Sequence, residues 1–335
     1  MSKRHLSQQQ TKRIHHQHAQ RLAKKDKVFD ASNLSEPQQG LIIAHYGSQL
    51  EVKGTEGEHC HEVWRCHLRS NLDALVTGDT VMWQADNTNK IGVVTALLPR
   101  ISLLTRPDAY QKIKPVAANI SLILLVIAPL PTPSVDLIDR YLVACEAVGI
   151  PALIILNKSD LLDDSNRDDL HKMLAEYQTL GYEHLELSCF GDLSALSAHI
   201  RDKTVVFVGQ SGVGKSSLVN VLLPHALQRV NEISDNSQLG QHTTTTTRLF
   251  PMTNGGALID SPGIREFGVW HLTEQQIQQG FVEFQPLYGT CRFRNCGHQS
   301  EPDCAIKQAA EQGKILPRRL ASLNRLLAEN KTALS

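Results

Sequence analysis

Three absences narrow the reading before any motif is weighed. The chain has no net charge, with 34 Lys+Arg against 34 Asp+Glu in 335 residues, so its overall balance makes no case for nucleic acid or an anionic membrane. It has no long apolar run: the longest, Leu122 to Ala128, stops at Pro129 and falls far short of the roughly 20 residues that span a bilayer. No membrane partner is expected. No apolar segment follows the early charges, which argues against a secretory signal, and no internal repeat is visible. A soluble, cytoplasmic protein is the expectation, and in that reducing compartment its 7 cysteines should not pair as disulfides.

What is present divides into pieces, because 335 residues outgrow one core of roughly 200 to 250. Residues 1–35 read as a basic arm. Lys3, Arg4, Lys12, Arg13, Arg21, Lys24, Lys25 and Lys27 crowd it with only Asp26 among them, and His5, His15, His16 and His18 lie between. With few large apolar residues the arm is expected to be disordered alone and able to neutralise RNA phosphates, a solvated tail being the plainer alternative. Residues 36–105 alternate short β-rich runs (Gly40 to Tyr46, Val63 to Leu68, Thr80 to Trp83, Ile91 to Leu98) with turns at Gly47, Gly54, Gly57 and Gly78-Asp79. This suits an OB-type barrel, with an SH3-like barrel as competitor.

Residues 106–270 change texture to apolar strands alternating with amphipathic stretches, the pattern of a parallel sheet covered by helices. The strands expected are Ile120 to Ile127, Ala152 to Leu156, Val205 to Val208 and Ala257 to Ile259; the helices are Val135 to Val148, Arg167 to Leu180 and Ser216 to Leu223. Residues 271–335 open with Thr273-Glu-Gln-Gln276, a capping box, and form a small helical unit with too little apolar material for a large core, where a bound metal would add stability.

Three of those strands end in polar motifs, where ligands bind in open α/β sheets. Gly209-Gln210-Ser211-Gly212-Val213-Gly214-Lys215-Ser216 follows one strand and, with Ser217, opens a helix. That context defines a phosphate loop: backbone N–H groups wrap the phosphates, Lys215 bridges the β- and γ-phosphates, and the Ser216 hydroxyl ligates Mg²⁺. Asp260-Ser-Pro-Gly263 follows another strand. Alone it would read as a turn; beside the phosphate loop, Asp260 suits the Mg²⁺ shell and the Gly263 N–H suits the γ-phosphate. Asn157-Lys158-Ser159-Asp160 ends a third. A carboxylate at Asp160 accepts hydrogen bonds from N1–H and the exocyclic amine of guanine, and adenine would leave it unpaired, so this tetrapeptide favours GTP over ATP. Ser188-Cys189 offers a backbone N–H for the guanine carbonyl. Gly240-Gln-His242-Thr243-Thr244 lies where a GTPase places the switch whose threonine completes the Mg²⁺ shell, although a run of threonines also suits a β-strand.

The base-reading motif precedes the phosphate loop, the reverse of the common GTPase order, so the fold is cut and rejoined just after the Asp260 switch. The C-terminal unit is thereby attached to the segment that senses the γ-phosphate. On the barrel, this motif order, Gly-Gln-Ser-Gly-Val-Gly-Lys-Ser, Gly-Gln-His-Thr-Thr, Asp-Ser-Pro-Gly-Ile-Arg-Glu-Phe and a late Cys/His cluster, the chain from about residue 36 to 316 resembles the RsgA or YjeQ family of circularly permuted ribosome-assembly GTPases. The fold expected is thus an α/β P-loop GTPase domain, circularly permuted, with an N-terminal OB-type β-barrel and a C-terminal helical zinc-binding domain. The resemblance implies a partner, the small ribosomal subunit and its rRNA late in maturation, which stimulates hydrolysis of GTP to GDP and phosphate. It also implies that Thr244, not Thr243, completes the Mg²⁺ shell. A monomer is expected.

The late cluster is Cys291, Cys296, His298 and Cys304, a donor set for tetrahedral Zn²⁺ with no open position, hence structural. Arg292, Arg294 and Lys307 beside it suit RNA phosphate or a solvated basic face equally. Cys60-His61 and Cys66-His67 are not taken as a second metal site, because in an extended segment the cysteines and histidines point to opposite faces. The position after Asp-x-x-Gly, where many GTPases carry a water-orienting Gln, is Ile264, so unaided turnover should be slow and His242 becomes the candidate for positioning water, with Lys215 and Thr244 as its catalytic companions. Two other readings stay open: an RNA-binding scaffold for which GTP is a passive conformational ligand, and an ATP-dependent enzyme in which Asp160 plays no part.

Overall fold

The computed structural model describes residues 34–46, 49–69, 72, 74–108, 112–224, 247–260, 272–299 and 301–334, with the side chains of the last helix described to Asn330. The basic arm, the Gly240 to Thr244 segment with His242, and Gly263 and Ile264 lie outside the described residues. The chain divides into two compact units, Met1–Pro99 and Arg100–Ser335.

The first unit is a closed barrel of β1 (Gln38–Tyr46), β2 (Gln49–Gly54), β3 (Val63–Leu68), β4 (Thr80–Asp86) and β5 (Ile91–Leu97). β1 pairs with β2 and β2 with β3, both antiparallel; β3 pairs with β5 in parallel; β5 pairs with β4 and β4 returns to β1, both antiparallel. That closed order, 1-2-3-5-4-1, is the Greek-key course of an OB-type barrel. Alternation along each strand sends Leu50, Val52, Trp64, Val81, Trp83 and Val94 inward to one core. The Cys60-His61 pair sits in the turn before β3 rather than in a strand, with His61 at φ 71°. Cys66 lies in the barrel core, where burial pushes its thiol up to about 12.

The second unit begins with a hairpin, β6 (Leu103–Pro107) and β7 (Ile113–Ala118). There follow β8 (Leu122–Ile127), α1 (Val135–Val148), β9 (Ala152–Leu156), α2 (Arg167–Thr179), β10 (Glu183–Glu186), α3 (Ser194–His199), β11 (Thr204–Val208), α4 (Lys215–Leu222), β12 (Arg248–Pro251) and β13 (Ala257–Asp260). These strands form a sheet in the order β10-β9-β8-β11-β13-β12. All are parallel except β12, which runs against β13. Every residue of β8 is buried, as a central strand covered on both faces requires.

The chain ends in α5 (Glu274–Gln279), a 3₁₀ turn (Val282–Leu287), α6 (Ala305–Glu311) and α7 (Pro317–Leu334). The capping box is formed: Thr273 Oγ1 accepts from the Gln276 N–H at 3.2 Å, and Gln276 Oε1 accepts from the Thr273 N–H at 2.9 Å. Helices α5 and α7 pack on α1 of the sheet domain, and the junction is charged and buried. Arg319, fully buried, donates to Asp139 of α1 at 2.7 Å and to Glu283 at 2.6 and 3.0 Å, with its guanidinium 4.5 Å from the centroid of the Phe281 ring. Burial opposes that charge, but the Glu283 hydrogen bonds and the Asp139 carboxylate outweigh it and hold the guanidinium protonated. Asp139 also accepts from the Tyr177 hydroxyl at 2.6 Å.

Candidate nucleotide site and metal centre

Because β10, β9, β8, β11 and β13 are mutually parallel, their carboxyl ends share one edge of the sheet. Asn157 follows β9, Ser188 lies just beyond β10, Gly209 follows β11, and Asp260 closes β13. The sequence order of the motifs is scrambled, yet their spatial order is regular. β9 and β11 are separated only by β8, so the tetrapeptide and the loop emerge about 10 Å apart, two strand spacings. That is the span from the base to the phosphates of a nucleotide. Asp260 emerges beside the loop, since β13 is the other neighbour of β11.

Hydrogen bonds join the two motifs directly. The Asn157 side chain, fully buried, donates to the Val213 carbonyl at 2.9 Å. Lys158 donates to the Gly212 carbonyl at 2.6 Å and to the Leu130 carbonyl at 3.1 Å. Lys158 also holds a left-handed backbone, φ 58° and ψ 42°, a conformation that costs a non-glycine residue about 1–2 kcal/mol and persists where the surroundings impose it. The exposed Asp160 carboxylate accepts from the Ser188 hydroxyl at 2.6 Å. Ser188 Oγ in turn lies 3.4 Å from the Phe190 N–H that donates to it, and the Gly191 N–H closes the turn on the Ser188 carbonyl at 2.9 Å.

The loop itself depends on glycine at two places. Gly209 has φ 132° and a Cβ there would meet the Val126 carbonyl oxygen at 2.2 Å; Gly214, the N-cap of α4, has φ 94° and a Cβ would meet Asn157 Nδ2 at 2.3 Å. The backbone therefore approaches both β8 and the base motif more closely than any side chain permits. Gln210, Ser211 and Gly212 are exposed at the rim, and Val213 anchors the loop in the core beneath. Lys215 folds back over the loop, donating to the carbonyls of Gly209 at 2.7 Å and Gln210 at 2.6 Å. Ser216 and Ser217 stand exposed in the first turn of α4, whose N-terminal amides and dipole favour an anion. Beneath the loop Tyr141 of α1 lines a small cavity with Gly209, Gln210 and Val213, and its burial raises its pKa.

The four late metal-ligand candidates also converge. One donor atom from each of Cys291, Cys296, His298 and Cys304 lies within 4.8 Å of the others. Cys291 Sγ is 3.6 Å from His298 Nδ1 and 4.0 Å from Cys304 Sγ, and His298 Nδ1 is 3.4 Å from Cys304 Sγ. A Zn–S bond of about 2.3 Å implies tetrahedral edges of about 3.8 Å, so the cage fits such an ion. Burial lowers the His298 pKa, favouring the neutral imidazole that ligates metals. The Glu301 carboxylate clamps the loop, accepting from the Gly297 and Gln299 N–H groups at 2.7 and 2.9 Å.

Sequence reasoning missed some participants. The Leu130 carbonyl and the adjoining Pro131, 3.6 Å from a Cβ placed on Gly212, belong to the segment after β8, which carries no motif. Tyr141 and the Arg319 to Asp139 junction were likewise unmarked; the one available signal was Asp139 and Tyr141 within the apolar stripe of a helix.

A family model described as RsgA GTPase matches residues 97–270. A Hahella chejuensis protein named small ribosomal subunit biogenesis GTPase RsgA is 50% identical over 335 residues, 97% of this chain and 96% of its own. A Marinobacter nauticus protein of the same name is 49% identical over 340 residues, 98% and 97% of the two chains. Among solved structures, YjeQ from Thermotoga maritima superposes with a TM-score of 0.71 at 27% identity, covering 88% of this chain and 98% of that one. YloQ, described as a circularly permuted GTPase, gives 0.71 at 29%, covering 91% and 98%.

Proposed function

Because this chain belongs to the RsgA GTPase family, we propose that it hydrolyses GTP to GDP and phosphate in the cytoplasm, as a monomer acting in biogenesis of the small ribosomal subunit, whose rRNA it binds. The observation that carries the reading is the pair of bonds from Asn157 and Lys158 to the Gly209 to Ser216 loop, which supports one ligand reaching from Asp160 to the loop.

In this reading Asp160 receives the N1–H and amine of guanine, with Ser188 orienting the carboxylate, and Asn157 and Lys158 fix its distance from the loop. The amides from Gly209 to Ser217 wrap the phosphates. Lys215 exchanges its two carbonyl partners for the β- and γ-phosphate oxygens, a swap of neutral for charge-assisted hydrogen bonds that favours the bound state. Ser216, Thr244 and, through water, Asp260 would hold Mg²⁺, which supplies charge neutralisation at the phosphates. The Gly263 N–H meets the γ-phosphate. His242 orients the attacking water, a task that aliphatic Ile264 cannot perform. Cys291, Cys296, His298 and Cys304 would hold a structural Zn²⁺ that stabilises the C-terminal unit.

The test is GTP turnover with purified small subunits, large subunits and neither. Stimulation by small subunits alone is expected; equal turnover in all three would overturn the assignment of partner and activity, in favour of a scaffold with incidental hydrolysis.

A further inference from the structure

A cleft of about 530 Å³ in the second unit belongs to neither site described above. It lies where the end of α1 meets α5 and the turn that follows, between Glu146 on one side and Gln276, Gln279, Gly280, Gln285 and Tyr288 on the other. Its size falls within the roughly 300–1,000 Å³ of small-ligand sites. No Lys, Arg or His lines it. The far wall spends donors on its own backbone: the Tyr288 hydroxyl donates to the Gln278 carbonyl at 2.6 Å, and Gln285 Nε2 donates to the Gln279 carbonyl at 2.8 Å.

Glu146 breaks a local rule. It stands in the last turn of a 14-residue helix that carries no basic residue there, where the helix dipole already presents its negative end and a second negative charge is destabilising. Its one hydrogen-bond partner among the described residues is the neutral Tyr182 hydroxyl, at 3.1 Å from Oε1. The buried Arg319 is committed to Asp139 and Glu283. An oriented carboxylate, opposed by its own helix and facing a cleft without a cation, is the kind of local conflict that marks a functional position.

We propose that this cleft binds a guanidinium group, the head of arginine, with Glu146 as its counter-ion. A guanidinium brings five N–H donors and no acceptor to a wall short of donors. Its plane matches a carboxylate and stacks on an aromatic face such as that of Tyr288, whereas an ammonium brings three donors and is more strongly hydrated.

Calorimetric titration of the full chain with Nα-acetyl-arginine amide, Nα-acetyl-lysine amide and free L-arginine tests this, using wild type, Glu146→Gln and Gln279→Lys. Wild type is expected to take one arginine amide per chain, at least tenfold more tightly than the lysine amide. Glu146→Gln keeps the shape and loses the charge, and should weaken binding about tenfold; Gln279→Lys tethers a cation in the cleft and should abolish it. Both variants should raise the melting temperature of the unliganded protein by about 1–4 °C, because the opposition to the α1 dipole is relieved, and leave GDP affinity unchanged. Equal arginine-amide binding by wild type and Glu146→Gln would overturn the proposal, as would equal binding of the lysine amide or no binding by wild type. Tighter binding of the blocked amide than of L-arginine supports a residue of a polypeptide as the source of the group, and the reverse supports the free amino acid; either order supports the guanidinium site.

Discussion

Gly214 ties the phosphate loop to the base motif, because it lies at φ 94° with Asn157 Nδ2 where a Cβ would be. Gly214→Ala should push the base motif off the loop. The left-handed penalty of about 1–2 kcal/mol corresponds to a fall in Tm of about 2–8 °C, and GDP affinity should drop at least tenfold by calorimetry; wild-type values for both would refute the contact. Lys215 has the opposite character. Its two bonds to loop carbonyls are expendable, so Lys215→Ala should leave Tm unchanged and abolish nucleotide binding. His242→Ala is expected to lower stimulated kcat about a hundredfold, the scale set by misplacing a reacting group, with GTP affinity near wild type; equal turnover would remove His242 from the mechanism.

At the scale of elements, the junction of α1 with the C-terminal helices makes a sharp prediction. Arg319→Met leaves Glu283 without its buried cation and Asp139 with only Arg318, 3.6 Å away, and breaking one side of such a network costs about 3–5 kcal/mol; thermal unfolding should show a loss of that order, while a change under about 1 kcal/mol would mean the network is idle. If Cys291, Cys296, His298 and Cys304 hold a metal, a chelator should cost the Cys291 to Cys304 loop its protection from hydrogen exchange before the sheet domain loses its own. Long periodic elements such as α1, α2, β8 and β9 were legible in the sequence, since burial of a whole face writes itself into the residue pattern. The shorter ones were not. β2 alternates buried and part-exposed positions but lies between glycines that read as turns. β10 runs from Glu183 to Glu186 at the sheet edge with both ends exposed and was not among the expected strands, because pairing with β9 rather than apolar content defines it. β6, β7, α3 and β12 likewise exist through their partners, and no single-segment pattern announces a partner.

For the whole molecule, the motifs were readable one by one because phosphate wrapping and guanine reading restrict residue type at fixed spacing. Their convergence was not, since it depends on strand order: β8, which comes before both in the chain, lies between the strands that end in the base-reading motif and the phosphate loop. The cut places the C-terminal unit directly after the Asp260 switch, while α1 gives that unit a second attachment: it bears Tyr141 beneath the phosphate loop and Asp139 against Arg319. The central claim is that one guanine nucleotide spans Asp160 and Lys215. Calorimetry of wild type, Asp160→Asn and Asp160→Asn with Lys215→Ala against GDP and XDP tests it most directly. The account predicts that wild type prefers GDP, that Asp160→Asn prefers XDP, and that the double variant binds neither; an Asp160→Asn protein that still prefers GDP, or a double variant that still binds XDP, would contradict it.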